Sequence, residues 1–90
     1  MALQIEILTP QKTLFKDEAD EVVAPSVNGE VGILPQHTEY LTLLRDGEIR
    51  VAVKGGAASI FPIAGGFLSV SSDRVTILAD EASGSKDVTP

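Results

Sequence analysis

Residues 48–54 read EIRVAVK and carry the clearest structural pattern in the chain. Ile49, Val51 and Val53 alternate mostly with charged residues, which is the two-residue period of a β-strand with one buried face. Valine and isoleucine are also common in strands because their branched side chains pack well on a pleated surface. This segment therefore predicts a strand with one buried and one exposed face.

The same alternation recurs on both sides of this segment, in short runs that begin at Leu3, Leu68 and Val75. Residue pairs that favour tight turns separate the runs. These pairs are Thr9-Pro10, Asn28-Gly29, Asp46-Gly47, Gly55-Gly56, Gly65-Gly66 and Ser72-Asp73. Short strands divided this often by turns predict an all-β sandwich or barrel of antiparallel hairpins.

Two segments and the C-terminal residues depart from the simple alternation of strands and turns. Pro62 lies inside an apolar run and cannot donate a ladder hydrogen bond, so we expect it at a sheet edge or next to a bulge. Residues 38–44 could form an apolar helical face, but we interpret them as a strand. Residues 83–90 are small and polar. We therefore predict one β-sandwich domain over residues 1–82 and a flexible tail over 83–90.

The composition excludes several classes of protein. The chain has 90 residues, no cysteine, 43% hydrophobic residues and a net charge of −6. A chain without cysteine has no disulfides or thiolate metal sites. Its acidic balance disfavours nucleic acid and anionic lipid as partners. No apolar run approaches the roughly 20 residues of a membrane span. We expect a soluble domain that is not inserted directly into a membrane.

The inventory of chemically active residues is small. His37 is the only histidine and Tyr40 the only tyrosine. One histidine without cysteine does not supply the usual ligand set of a zinc site. The acidic run at residues 17–21 lacks the ligand spacing of a calcium loop and is interpreted as a solvated loop or a charged contact surface. We expect a protein that is not an enzyme, without a metal or a cofactor.

The glycine pairs and Lys54 raise one alternative. Gly55-Gly56 and Gly65-Gly66 are followed by more strand pattern, so hairpin turns account for them better than a phosphate-binding loop does. Lys54 precedes the first pair, where a hairpin tip is predicted. A lysine at such a tip is typical of lipoyl and biotinyl carrier domains. Its neighbours Val53 and Gly55 differ from those in the carriers, which favours an ordinary surface lysine.

Residues 29–37 read GEVGILPQH and form the most distinctive motif. Gly29 and Gly32 permit a sharp backbone path, and Pro35 stiffens the exit. A turn followed by a short strand explains the glycines and the proline. It does not explain the charge of Glu30, since a polar residue in a special loop often marks a contact site. Glu30 therefore either contacts a partner or caps its own turn.

At this motif the sequence resembles the epsilon subunit of F-type ATP synthases, which is called delta in mitochondria. The family signature Gly-Glu-x-Gly-Ile-x-Pro-x-His is matched in order and spacing. Further similarity covers residues 3–15, 47–51 and 64–80, whereas Glu39 stands where the family usually has proline. The matching signature residues are Gly29, Glu30, Gly32, Ile33, Pro35 and His37.

The resemblance implies a flattened β-sandwich of about ten short strands and a mechanical role in the rotor. It implies that the subunit binds both the gamma subunit and the c-ring. Through these contacts the subunit would couple proton-driven rotation to ATP synthesis. The complex would hold this peripheral subunit at the cytoplasmic face of the bacterial inner membrane. By the same resemblance, Glu30 contacts the polar loops of the c-ring, with Gly29, Gly32 and His37 nearby.

In the family, a two-helix C-terminal hairpin inhibits ATP hydrolysis and binds ATP. The 90 residues end about where that hairpin begins, so we expect neither property here. Two other functions remain open at this point. One is a carrier domain modified at Lys54, and the other is a protein-interaction sandwich with an unrelated partner.

Overall fold

A computed structural model describes residues 2–36, 39–53, 56 and 58–80. These residues form an all-β structure and contain no helix. The strands are β1 (Leu3–Leu8), β2 (Thr13–Ala19), β3 (Glu21–Ser26), β4 (Gly29–Ile33), β5 (Tyr40–Ala52), β6 (Ser59–Ser71) and β7 (Arg74–Ala79). The predicted fold class is thus confirmed.

The seven strands form one continuous sheet in the order β2-β1-β7-β6-β5-β3-β4. Neighbouring strands are antiparallel except β1 and β7, which run parallel, with Ile5 beside Val75. The sequence predicted antiparallel hairpins throughout. The parallel pair joins strands that are distant in the chain. Parallel neighbours are not connected by a tight turn, so the turn residues could not predict this pairing.

The long strands β5 and β6 fold this sheet into two layers. Residues 40–44 of β5 pair with 66–70 of β6 in one layer, and residues 46–51 pair with 59–64 in the other. The first layer continues into β7, β1 and β2, and the second continues from β5 into β3 and β4. The result is a sandwich whose two layers share two bent strands.

The predicted turns at Asp46-Gly47 and Gly65-Gly66 are wrong, because both pairs lie inside these bent strands. The alternation changes phase across the bend, since Leu44 and Ile49 are both buried although they are five residues apart. When the alternation of buried and exposed residues changes phase next to a glycine, the sequence pattern looks the same as that of two strands joined by a turn. For this reason the described chain has seven strands rather than about ten.

The prediction for Pro62 is confirmed. Residues 59–64 of β6 pair with β5 on one side, while β7 pairs only with residues 66–71. Pro62 therefore lies on a half-strand that forms a sheet edge among the described residues, which is where strands tolerate proline.

The inward-facing residues of both layers form a single core of aliphatic side chains. Burial of each large side chain contributes roughly 1.5–3 kcal/mol relative to exposure. The predicted alternations are confirmed in β1, in β7 and in most of β5 and β6. The prediction for Val53 is wrong, because β5 ends at Ala52 and Val53 is 42% exposed. The largest core side chains are Leu3, Ile5, Ile7, Ile33, Ile49, Leu68, Ile77, Val22, Val51, Val70 and Val75.

Candidate partner-contact site

The predicted motif begins in a tight hairpin between β3 and β4. Ser26 pairs with Gly29, so Val27 and Asn28 form the turn. Gly29 has φ +119°, a conformation that strains residues with a side chain. The Ser26 hydroxyl accepts a 2.9 Å hydrogen bond from the Asn28 N–H. This bond satisfies a backbone donor of the turn without any help from Glu30.

Glu30 lies in β4, opposite Pro25, and not in a loop as the motif predicted. Its side chain is exposed. Among the described hydrogen bonds, none involves the Glu30 carboxylate. Because Ser26 already serves the turn, the geometry favours an outward-directed carboxylate over the turn-capping alternative.

Gly32 lies two residues further along the same outward side of β4. A β-carbon at Gly32 would lie 3.6 Å from the Glu21 carboxylate oxygen, which is an ordinary contact. The fold therefore does not require a glycine at this position. Leu34 continues the alternation and is 55% exposed. We name Glu30, Gly32 and Leu34 the β4 surface.

Beyond β4, the N–H of Gln36 donates a 2.6 Å hydrogen bond to the Asp73 carboxylate. Asp73 belongs to the β6–β7 turn, which was predicted at Ser72-Asp73 and is confirmed. His37 lies outside the described residues, so its place beside Glu30 remains a prediction. Lys54, the residue of the carrier alternative, also lies outside them.

A second exposed feature crosses the outer face of the other layer. In the pairing register, Leu8 lies beside Leu78, Leu78 beside Phe67, and Phe67 beside Leu43. Val27 extends the line, because its N–H donates a 3.0 Å hydrogen bond to the Leu43 carbonyl. We name these five residues the apolar row.

The apolar row includes several strongly exposed side chains. Val27, Leu43 and Leu78 are 54%, 56% and 49% exposed. Leu41, on the same side of β5 as Leu43, is 63% exposed. Contiguous exposed apolar side chains on a small soluble domain mark interaction sites. Sequence reasoning missed this row, because its members become neighbours only through the strand register.

The acidic run is divided between two strands in the structure. Asp17 and Glu18 lie in β2 just before its last residue, whereas Glu21 begins β3. The Glu18 carboxylate accepts a 2.8 Å hydrogen bond from the Gln4 side-chain amide. Within the described residues, no group of three His, Asp or Glu side chains could hold a metal ion.

Comparison with known proteins gives the family directly. The family model described as "ATP synthase, Delta/Epsilon chain, beta-sandwich domain" matches residues 2–85. The chain belongs to this delta/epsilon family. The resemblance inferred from the motifs is thus confirmed over nearly the whole chain.

Curated relatives of this delta/epsilon domain are epsilon chains of bacterial ATP synthases. The domain is 46% identical to the ATP synthase epsilon chain of Herpetosiphon aurantiacus over 88 residues, covering 98% of this chain and 64% of the relative. It is 42% identical to that of a Roseiflexus species over 88 residues, covering 98% and 63%. The delta/epsilon domain therefore spans just under two thirds of the length of these relatives.

Solved structures share the fold of the delta/epsilon domain. A chain of the Euglena gracilis mitochondrial ATP synthase superposes with a TM-score of 0.83 at 22% identity, covering 89% of this chain and 51% of that one. A chain from the Tetrahymena thermophila enzyme gives 0.76 at 15% identity, covering 90% and 65%. In the described part of the delta/epsilon domain, no helix has the length and hydropathy to cross a membrane.

Proposed function

We propose that this domain is a non-catalytic rotor subunit of a proton-translocating F-type ATP synthase. It would link the gamma subunit to the c-ring and so couple proton-driven rotation to ATP synthesis. The observation that carries the proposal is the apolar row, an exposed apolar face on a domain of the delta/epsilon family. The complex would hold the domain peripherally at the cytoplasmic face of the bacterial inner membrane.

The apolar row is the proposed contact for the gamma subunit. It crosses four neighbouring strands, which at about 4.8 Å spacing spans roughly 14 Å before Val27 is added. An interface that holds under load needs at least roughly 1,000 Å² of buried surface. Apolar side chains in the middle of such an interface provide most of its free energy. Co-purification of the domain with its cognate gamma subunit tests the proposal, and absence of a complex at micromolar concentration contradicts it.

The β4 surface is the proposed contact for the polar loops of the c-ring. Glu30 offers an exposed carboxylate, and Gly32 adds no side chain of its own beside it, next to the Glu21 carboxylate. A partly exposed ion pair contributes only about 0–1 kcal/mol. Glu30 would therefore align the domain on the ring more than it would strengthen binding. Gly29 shapes the turn that precedes Glu30, and His37 is the remaining predicted member of the site.

Disulfide crosslinking tests the c-ring contact. The chain has no native cysteine, so an engineered thiol reports one position only. We expect Glu30→Cys to crosslink on oxidation to a cysteine placed in the polar loop of the c subunit. Glu18→Cys is the matched control, because Glu18 is also an exposed glutamate on an edge strand, β2, but in the other layer. Equal crosslinking at both positions, or none at position 30, would remove the proposed contact.

Residues 1–90 are expected neither to inhibit ATP hydrolysis nor to bind ATP. Residues 81–90 read EASGSKDVTP, and this segment is shorter than the about 12–15 residues below which an isolated helix is marginal in water. ATP synthase reconstituted with residues 1–90 should hydrolyse ATP at the rate of enzyme whose epsilon subunit lacks the C-terminal helices. The measurement is the hydrolysis rate with and without the domain, together with calorimetric titration of ATP. ATP-sensitive inhibition would contradict this expectation.

A further inference from the structure

Three strained residues meet at one junction of the fold. The described residues other than glycine with positive φ are Gln36 at 70°, Ser72 at 51° and Asp73 at 63°. Such conformations are unfavourable for residues with a side chain and concentrate at functional sites. Here they coincide with the hydrogen bond between Gln36 and Asp73. Ser72 and Asp73 are the two central residues of a hairpin turn that has positive φ at both positions, whereas Gln36 lies outside that turn.

Asp73 joins three separate segments at this junction. Its carboxylate accepts the 2.6 Å hydrogen bond from the Gln36 N–H. Its backbone carbonyl accepts a 2.8 Å hydrogen bond from the N–H of Gln4, at the start of β1. On the other side of the same turn, the Ser71 hydroxyl donates a 3.4 Å hydrogen bond to the Glu39 carboxylate. The β6–β7 turn thus contacts the β4–β5 connection on both sides of residues 37 and 38.

The turn alone does not account for an aspartate at position 73. A two-residue hairpin turn with positive φ at both central residues is best served by glycine at the second position. Aspartate there adds backbone strain. What glycine would lack is the carboxylate that holds Gln36, and hydrogen bonds to a charged group are the stronger kind. The side chain is therefore explained by its contact with the β4–β5 connection.

The contact with Gln36 fixes the end of the β4 surface. Within the described residues, β4 pairs with β3 alone, and that pairing ends at Ile33. Leu34 follows immediately, exposed and on the same side as Glu30 and Gly32. Without the bond to Gln36, nothing described beyond Ile33 ties this connection to the β6–β7 turn until Glu39.

We propose that Asp73 is a positioning residue for the β4 surface. Its carboxylate holds Gln36 so that Leu34 is presented in line with Glu30 to the partner that covers this edge strand. The proposal rests on the proposed c-ring contact, and it extends that contact from Glu30 to Leu34. A preorganised connection loses less conformational entropy on docking.

The first part of the test measures the link in the isolated domain. Asp73→Gly removes the carboxylate. Ser72→Gly is the matched control, because it introduces glycine into the same turn but keeps the Asp73 carboxylate. We expect amide hydrogen exchange at Gln36 to accelerate about tenfold in Asp73→Gly and to stay unchanged in Ser72→Gly. Asp73→Asn keeps an acceptor oxygen and should retain most of the protection. Equal exchange at Gln36 in the two glycine variants overturns the link.

The second part measures crosslinking to the c-subunit loop in the assembled enzyme. We expect Leu34→Cys to crosslink in the Ser72→Gly background and to lose about tenfold in rate when combined with Asp73→Gly. Glu30→Cys should crosslink equally in both backgrounds. If Glu30→Cys fails everywhere, the proposed c-ring contact is wrong. The positioning role is wrong if Glu30→Cys crosslinks while Leu34→Cys never does. It is also wrong if Asp73→Gly leaves the crosslinking rate of Leu34→Cys unchanged.

Discussion

Gly66→Ala is expected to lower the free energy of unfolding by at least about 3 kcal/mol. Gly66 has φ +149° and lies in β6 where the strand bends between the layers. An added β-carbon would approach the Ala79 Cα to 2.9 Å and would come closer still to the Leu78 carbonyl oxygen. Both obstacles are backbone atoms of the paired strand β7. The variant can relieve the clash only by separating β6 from β7.

Thermal and urea denaturation measure this effect. For a domain of this size, 3 kcal/mol corresponds to a fall in Tm of roughly 12–24 °C. Gly32→Ala is the control, because its β-carbon would make an ordinary 3.6 Å contact and its φ is not positive. We expect that variant to change stability by less than about 1 kcal/mol. Similar losses in the two variants would show that general glycine effects, and not the β6–β7 approach, determine the cost.

Leu78→Glu is expected to weaken binding to the gamma subunit by roughly 100-fold. Leu78 is in the middle of the apolar row, with Leu8 and Phe67 as its cross-strand neighbours. A glutamate there would be buried without a partner in the proposed interface, and an unpaired buried charge costs several kcal/mol. In the free domain the same side chain is 49% exposed. The fold should therefore tolerate the change while the interface does not.

Ile60→Glu provides a closely matched control on the other layer. Ile60 is also an aliphatic strand residue and is also 49% exposed. It lies on the edge half of β6, away from the apolar row. Affinity for gamma is measured by calorimetry or biolayer interferometry, and Tm is measured for each variant. A loss of affinity for Ile60→Glu equal to that for Leu78→Glu would place the gamma interface elsewhere.

Local alternation was sufficient to predict the core but not the path of the chain. Ile49 and Val51 were predicted to be buried and are, because a two-residue period assigns the faces of a strand without reference to its neighbours. Gly65-Gly66 was mistaken for a turn, because a strand that crosses between layers also needs glycine where it passes close to another backbone. The distinction depends on β7, which a local pattern cannot include.

In the candidate site, too, features set by neighbouring residues in the sequence were predicted, whereas those that depend on contacts between distant strands were not. The motif singled out Glu30 correctly as an exposed polar residue, but it suggested a loop where the structure has an edge strand. The apolar row was not predicted, because Leu43, Phe67 and Leu78 belong to three strands and look unremarkable in each. Asp73 was recognised only as a turn residue, since its contact with Gln36 spans 37 positions.

The parallel pairing of β1 with β7 has a consequence for the synthesis of this domain. Positions 5 and 75 are neighbours in the sheet although they are 70 positions apart in the chain. Contacts of such long range form late and slow the folding of β-proteins. During synthesis on the ribosome, the backbone hydrogen-bonding groups along one edge of β1 would stay unpaired until β7 has emerged. Exposed strand edges promote aggregation, so the synthesis of β7 completes the protection of β1.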